Sequence, residues 1–354
     1  MDPTRLIPSA LPIPIEWGWF YLFQVLTFIL HILVMNVMLG ASIIALVHNV
    51  RGKRDSEPLT KTISVKLPFT IAFAVNFGVA PLLFMQVLYG QFLYTSSVLM
   101  AVYWLGVVGL VIAAYGSAYV YDFRYTALGS LKTLFIAVTA LCLLATGFIF
   151  TNNMTLMLNP EAWTAYVDNA GGTILNLSDP TVLPRYLHVV ASSTALGGLA
   201  LALLYQRRKD DPQAGRWVRH GMNWYAFSTV VQMALGLWFL TALPERVSHL
   251  LLGGSLPHTL VFAAGAILGI FSISNALRYN VRTTAIISVT TVSLMVYLRD
   301  MVRDAYLSPY FNVSERVVTG EYSPFVLFVL TLLAGVAIIV WMLRTASTDT
   351  EVRS

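Results

Sequence analysis

Two histidines stand inside long apolar runs, His31 in FILHILVMNVMLG and His188 in RYLHVVASSTALGG. An imidazole at membrane depth is costly unless it has a partner. Neutral imidazole is a good axial ligand for haem iron, and a thioether can take the opposite face. The competing role for each is a hydrogen-bonded packing residue. Behind His188 runs a strip of small residues: Ala191, Ser192, Ser193, Ala195, Gly197 and Gly198. Such a strip admits a neighbouring helix or a flat macrocycle at close range. A second cluster lies in LMVYLRDMVRDAYL, where Arg299, Asp300, Met301, Arg303 and Asp304 fall within two helical turns. Asp300 and Arg303 are spaced to pair at i,i+3. Arg185, Arg299 and Arg303 are expected to hold anionic haem propionates by charge-assisted hydrogen bonds. Met301 is a sixth-ligand candidate, and His258 is its rival. The competing role for the cluster is an interfacial patch of snorkelling side chains. His220 ranks lower as a ligand. His48 and His249 are expected in loops.

These residues need elements long enough to carry them across a bilayer. The chain has 354 residues, 57% hydrophobic and 11% charged, with mean hydropathy +0.71. That polar content is too small to cover a water-soluble globule. A span needs about 20 apolar residues. Nine such runs are expected, near 17–45, 67–94, 96–121, 130–154, 183–206, 217–243, 258–278, 282–306 and 323–344. They predict an all-α bundle forming one transmembrane domain over 1–354. The first 15 residues are Pro-rich and do not read as a cleaved signal.

The net charge of +5 does not indicate nucleic acid, because the Lys and Arg residues cluster in short loops between apolar runs. With the N-terminus outside, 16 of them fall on inner segments and 6 on outer ones. That bias favours N-out, C-in. Two outer segments, 152–184 and 306–324, are long for a compact bundle and suit a lid or a docking surface. The one cysteine, Cys142, rules out an intrachain disulfide and, without CxxCH, a covalent c-type haem. It also leaves too few thiolates for an iron–sulfur cluster. No carboxylate lies mid-span, which argues against a proton pump or cation-coupled transporter.

The order of these motifs resembles subunit I of the cytochrome bd quinol oxidases. His31, followed by Met38, Leu39 and Gly40, is similar to that family's first helix. Asn76-Phe77-Gly78-Val79-Ala80, then Met85 and Gly90, is similar to its second helix. Asn159-Pro160 matches an element before the fifth helix, and His188-Val189-Val190-Ala191-Ser192 with Gly197 and Gly198 matches the fifth helix itself. The resemblance covers about 17–206, leaving 207–354 as a divergent half. It implies haem b, one to three groups with two favoured, ligated by His31 and His188, and a quinone or quinol substrate. Four family features are missing or reduced. Residues 96–121 hold no Glu, 258–278 hold no Met, and the quinol loop is reduced to Pro244–Pro257. An interior Glu is also absent from the eighth span.

The resulting expectation is a membrane cytochrome b that has lost oxygen reduction. It would sit in a prokaryotic inner membrane and pass electrons between quinone and an outer-side partner, a c-type cytochrome or other redox subunit. Glu245, Arg246 and His249 are the weak quinone-site candidates. A transporter or channel, or a haem-free anchor of a redox complex, are the competing functions.

Overall fold

The computed structural model describes residues 3–52, 54–208 and 210–352; Lys53, Lys209 and Arg353 of the charge count lie outside them. Among the described residues, nine helices are long and apolar enough to cross a membrane, and no named strand occurs. This is the expected all-α class. The spans are α1 (Trp17–Arg51), α2 (Glu57–Leu99), α3 (Ala101–Phe123), α4 (Lys132–Met157), α5 (Val182–Gln206) and α6 (Ala214–Ala242). After a short α7 (Glu245–His249) come α8 (Leu256–Leu277), α9 (Val281–Leu307) and α10 (Ser323–Val352). Successive spans alternate in direction. One end of the bundle, here the N-terminal end, holds the start of α1. The other, the basic end, holds most of the Lys and Arg residues.

Several helices outrun their apolar stretches. α1 continues to Arg51 and stops at Gly52, whose φ of 62° gives a left-handed cap. α2 begins ten residues before its apolar run, with Pro in its first turn. One consequence is a correction: His48 is no loop residue but a buried residue in the last turn of α1.

Lipid tails give no hydrophobic drive for one apolar helix to seek another, so close backbone approach must do that work. Here α1, α5 and α6 touch through glycines. A Cβ on Gly40 would lie 1.8 Å from the Ser193 carbonyl oxygen, and one on Gly197 would lie 2.6 Å from the Gly40 carbonyl carbon. On the other side of α5, a Cβ on Gly198 would meet the Gly221 oxygen at 2.6 Å, and one on Gly221 the Gly198 oxygen at 2.4 Å. Beside this crossing the Ser193 hydroxyl donates to Asn36 Oδ1 at 2.6 Å, both buried. The small strip after His188 is thus filled by helices at Gly197 and Gly198, with no room there for a macrocycle.

Both long segments at the N-terminal end are ordered. The first carries a 3-10 helix, Pro160–Val167, anchored by buried Trp163, whose Nε1 donates to the Leu156 carbonyl at 2.8 Å. The second pairs with the chain start: Ile13 N donates to Val317 O at 2.8 Å and Thr319 N to Ile13 O at 2.9 Å. Nearby, Tyr322 donates to Glu16 at 2.5 Å, which lowers the Glu16 carboxyl below its ordinary range. In contrast, α10 leaves most of its length uncovered and meets α1 mainly through ring contacts, Trp19–Phe325 and Phe23–Phe328.

The glycine crossing makes a direct prediction. Gly40→Val forces the α1 and α5 backbones apart and should destabilise the detergent-solubilised chain by about 3 kcal/mol. Gly106→Ala on α3, where a Cβ meets nothing within 4 Å, should leave the thermal midpoint unchanged or slightly raised. Comparing the two unfolding midpoints checks the assignment.

Candidate functional site

The two intramembrane histidines are held in the same way. His31 Nδ1 lies 2.9 Å from the Ala74 carbonyl oxygen on α2, and Gly78, four residues on, faces the same ring. A Cβ on Gly78 would lie 2.9 Å from His31 Cε1. His188 Nδ1 lies 3.0 Å from the Gln232 carbonyl oxygen on α6, and Gly236, again four residues on, faces that ring, with a built Cβ 3.2 Å from Cε1. A carbonyl oxygen only accepts, so Nδ1 carries the proton in both rings and Nε2 carries the lone pair. The glycine at the next turn removes the side chain that would keep an imidazole off the helix backbone.

The lone pair on Nε2 is the free coordinating position of such a ring, and an Nδ1–H bonded to a backbone carbonyl is the usual outer support of a ligating histidine. At His188 the Gln232 amide approaches Nε2 at 3.3 Å. At His31 no hydrogen bond to Nε2 occurs among the described contacts. α1 and α5 run the same way, and each histidine precedes its crossing glycine, Gly40 or Gly197, by the same interval. At 1.5 Å rise per residue, both rings sit roughly 13 Å from the crossing and so at about the same level.

Toward the N-terminal end, the α9 cluster forms a buried charged group. Arg303 Nη1 pairs with Asp300 Oδ1 at 3.0 Å, the expected i,i+3 contact, and Arg299 Nη1 reaches the same oxygen at 3.4 Å. Asp300 is wholly buried and Arg303 nearly so. Two guanidiniums therefore share one carboxylate oxygen. Their other contacts are weak for cations: Arg303 Nη1 on Met85 Sδ at 3.5 Å and Arg299 Nη2 on Met154 Sδ at 3.3 Å. Each also lies over a ring, Arg303 over Tyr89 at 4.3 Å and Arg299 over Phe28 at 4.6 Å. Tyr89 donates to Asp304 Oδ1 at 2.6 Å. Arg185 stacks over Phe239 at 4.9 Å and is within electrostatic range of Arg299.

Several polar atoms of this region are buried without a partner: Asp300 Oδ2, Arg303 Nε and Nη2, Arg185 Nε, and both side-chain polar atoms of Gln24. Buried polar groups are almost always bonded, so such a concentration calls for an explanation. Gln24 precedes His31 by two turns on α1 and is fully buried. Unlike the arginines, it carries no charge and has no motif around it to single it out from sequence.

Beside the cluster, α2 is bent. Tyr89 has non-helical φ and ψ of −131° and 29° inside that helix. The carbonyls next to the bend are taken by Arg316, which donates to Val87 O at 3.0 Å and Leu88 O at 3.5 Å. Burial there lowers the guanidinium pKa from its ordinary value. Arg316, for which the sequence suggests no particular role within the long segment 306–324, thus closes that segment onto the bent helix.

The two candidate sixth ligands have neighbours of their own. Met301 packs with Leu243, Val247 and Leu251 where α6, α7 and α9 meet. His258 Nδ1 lies 2.7 Å from Ser255 Oγ at the start of α8. Arg246 is engaged with Ser308 Oγ and the Tyr306 carbonyl. Two further methionines point at α8: a Cβ on Gly265 would meet Met295 Cε at 2.0 Å, and one on Gly269 would meet Met233 Sδ at 3.8 Å.

This order of helices has the fold of a bd-type oxidase subunit. One solved structure the chain is similar to is the bd oxidase from Geobacillus thermodenitrificans, at TM-score 0.68 and 13% identity over 97% of this chain and 98% of that one. The likeness is one of fold, and it runs well beyond the segment 17–206 that carries the motifs. No family model and no curated protein matches the chain. The fold and the nine apolar helices make it an integral membrane protein.

Two predictions test the cluster. Asp300→Asn leaves the buried Arg303 and the half-buried Arg299 without their carboxylate and should cost about 3 kcal/mol of stability; adding Arg303→Met should restore part of it, read by unfolding in detergent. Arg316→Met frees the carbonyls of the α2 bend, so amide hydrogen exchange over 87–91 should rise while exchange in α5 stays unchanged.

Proposed function

We propose that this chain is a haem b-binding membrane subunit of a respiratory complex. It would transfer electrons between quinone and a redox partner at the N-terminal end, a c-type cytochrome or another redox subunit. The observation that carries the reading is the repeated imidazole clamp. His31 and His188 each give Nδ1–H to a carbonyl of a neighbouring helix, beside a glycine, which leaves Nε2 as the coordinating atom, with the Gln232 amide at 3.3 Å from that of His188. Packing alone requires no such repetition. The bd oxidase fold adds weight, since a bd oxidase is a respiratory enzyme.

The residues fit the group. His31 and His188 would each hold one such group through Nε2. Arg299, Arg303 and Arg185 would take the propionates, the last two with partnerless atoms, Arg303 Nε and Nη2 and Arg185 Nε, and Gln24 lies on the helix face that joins the two regions. When bound, the group supplies a one-electron couple whose potential depends on axial ligand and burial. The chain's own contribution is to keep each imidazole neutral and correctly turned, to exclude water, and to offset anionic oxygens with buried guanidinium charge. Met301 and His258 remain as proposed opposite ligands, and two haem groups per chain are the proposed content. We assign the N-terminal end to the outer side of a prokaryotic inner membrane, from the placement of the Lys and Arg residues. Oxygen reduction is not part of the reading, because the third span carries no Glu.

A transporter would be expected to break its helices or place charge at the midplane. The charged cluster here lies toward one end instead.

The test is a pyridine haemochrome count with a reduced-minus-oxidised spectrum on the purified chain. A b-type signal is expected, dropping by about one haem per chain in His188→Ala and again in His31→Ala. Gly236→Ala, which crowds the His188 ring without removing it, should shift the reduced band or midpoint potential at unchanged haem content. A folded chain free of haem under all expression conditions would leave the anchor role in its place.

A further inference from the structure

A second constellation lies at the basic end, remote from both clamped histidines. There the last turn of α1 and the first turns of α6 enclose a cavity of about 310 Å³ lined by His48, Arg51, Ser56, Arg216, Trp217, Arg219, His220 and Asn223. Its hydrogen bonds fix the protons. Trp224 Nε1, which can only donate, gives its hydrogen to His220 Nε2 at 3.0 Å. His220 Nε2 is therefore an acceptor. His48 Nε2 lies 2.8 Å from the same atom and must donate to it. Ser56 Oγ, 3.0 Å from His48 Nδ1, completes the chain. His220 is then neutral, with its proton on Nδ1.

This arrangement excludes a metal cation. The two Nε2 atoms are at hydrogen-bond contact, and three guanidiniums line the same space. It favours an anion with several acceptor oxygens. Arg51, Arg216 and Arg219 supply charge and forked donors. Asp55 is the carboxylate that faces them, 3.6 Å from Arg216, and both side chains are largely exposed. Glu57 faces the adjoining smaller cavity and is paired with Lys132 at 3.1 Å. A second observation points to a ligand: Trp217 is 97% buried, lines the cavity, and its Nε1 has no hydrogen-bond partner. An indole N–H left unbonded beside arginines is a donor awaiting an acceptor.

We propose that this cavity binds a phosphate group, through Arg51, Arg219 and Trp217. The cavity sits at the helix ends, the depth of lipid headgroups, and basic pockets between helices on such a face suit anionic lipids. The same donors suit free phosphate. The inference is independent of haem.

Two arms separate the sources, each on the full chain in detergent. Native mass spectrometry compares retained phosphatidylglycerol with phosphatidylcholine. Intrinsic tryptophan fluorescence follows titration with inorganic phosphate after delipidation. The wild-type chain is expected to keep phosphatidylglycerol under activation that strips phosphatidylcholine, and Arg51→Gln/Arg219→Gln should weaken that retention at least tenfold. A saturable phosphate response lost in the same variant, without selective lipid retention, would assign the site to free phosphate and also uphold the proposal. Equal retention of both lipids with no saturable phosphate response, or responses unchanged by the substitutions, overturns it. Arg219→Gln alone, at an exposed side chain, carries the comparison if the double variant is not monodisperse. The haem spectrum should be the same in all these variants, so this result and the haem result stand separately.

Discussion

The backbone contact among α1, α5 and α6 is the constraint on which the rest depends. Without a hydrophobic drive between helices, these three are held by close approach at Gly40, Gly197, Gly198 and Gly221. Because α1 and α5 are parallel and touch at one point, everything at equal distance from that point shares a level. His31 and His188 are so related. The same contact brings α6 near enough for the Gln232 carbonyl to accept a hydrogen bond from His188, while α2 does the corresponding work for His31. The imidazole geometry is thus a consequence of helix packing, and small residues far from the rings decide where the rings sit.

Beyond the rings the structure becomes polar in a manner that is poorly explained by packing. Two arginines share one oxygen of Asp300 and complete their shells with thioether sulfurs and aromatic faces. The partnerless atoms of Arg303, Arg185, Asp300 and Gln24 lie in the same region. Beside this group α2 bends at Tyr89, and the carbonyls at the bend are met by Arg316 from a loop that is itself tied to the chain start. An arrangement costly to bury, and supported from three directions, fits a site for an anionic group better than a solvated rim.

Much of the fold was legible in the sequence, because nine apolar runs separated by basic loops permit little else. The Asp300–Arg303 pair was legible too, from helical spacing. What was not legible follows from physics that acts between helices. The small strip after His188 is consistent with a helix or a macrocycle, and only the Gly40 and Gly221 contacts show that helices fill it. Gln232 and Gly236 carry no local signal, since their role exists only once α6 lies against α5. His48 was misread as a loop residue because α1 runs past its apolar stretch, and this hid its contact with His220. Arg316 and Gln24 gain their meaning from the bend in α2 and from burial, neither of which spacing encodes.

The most direct measurement is a cryo-electron microscopy map of the full chain purified from membranes, at a resolution that shows ring planes. The account predicts flat density on Nε2 of His188, and of His31, with acidic edges reaching toward Arg299 and Arg303 while both Nδ1 atoms keep their carbonyl partners. Rings in place with no density at Nε2, and helices closed around them, would contradict it.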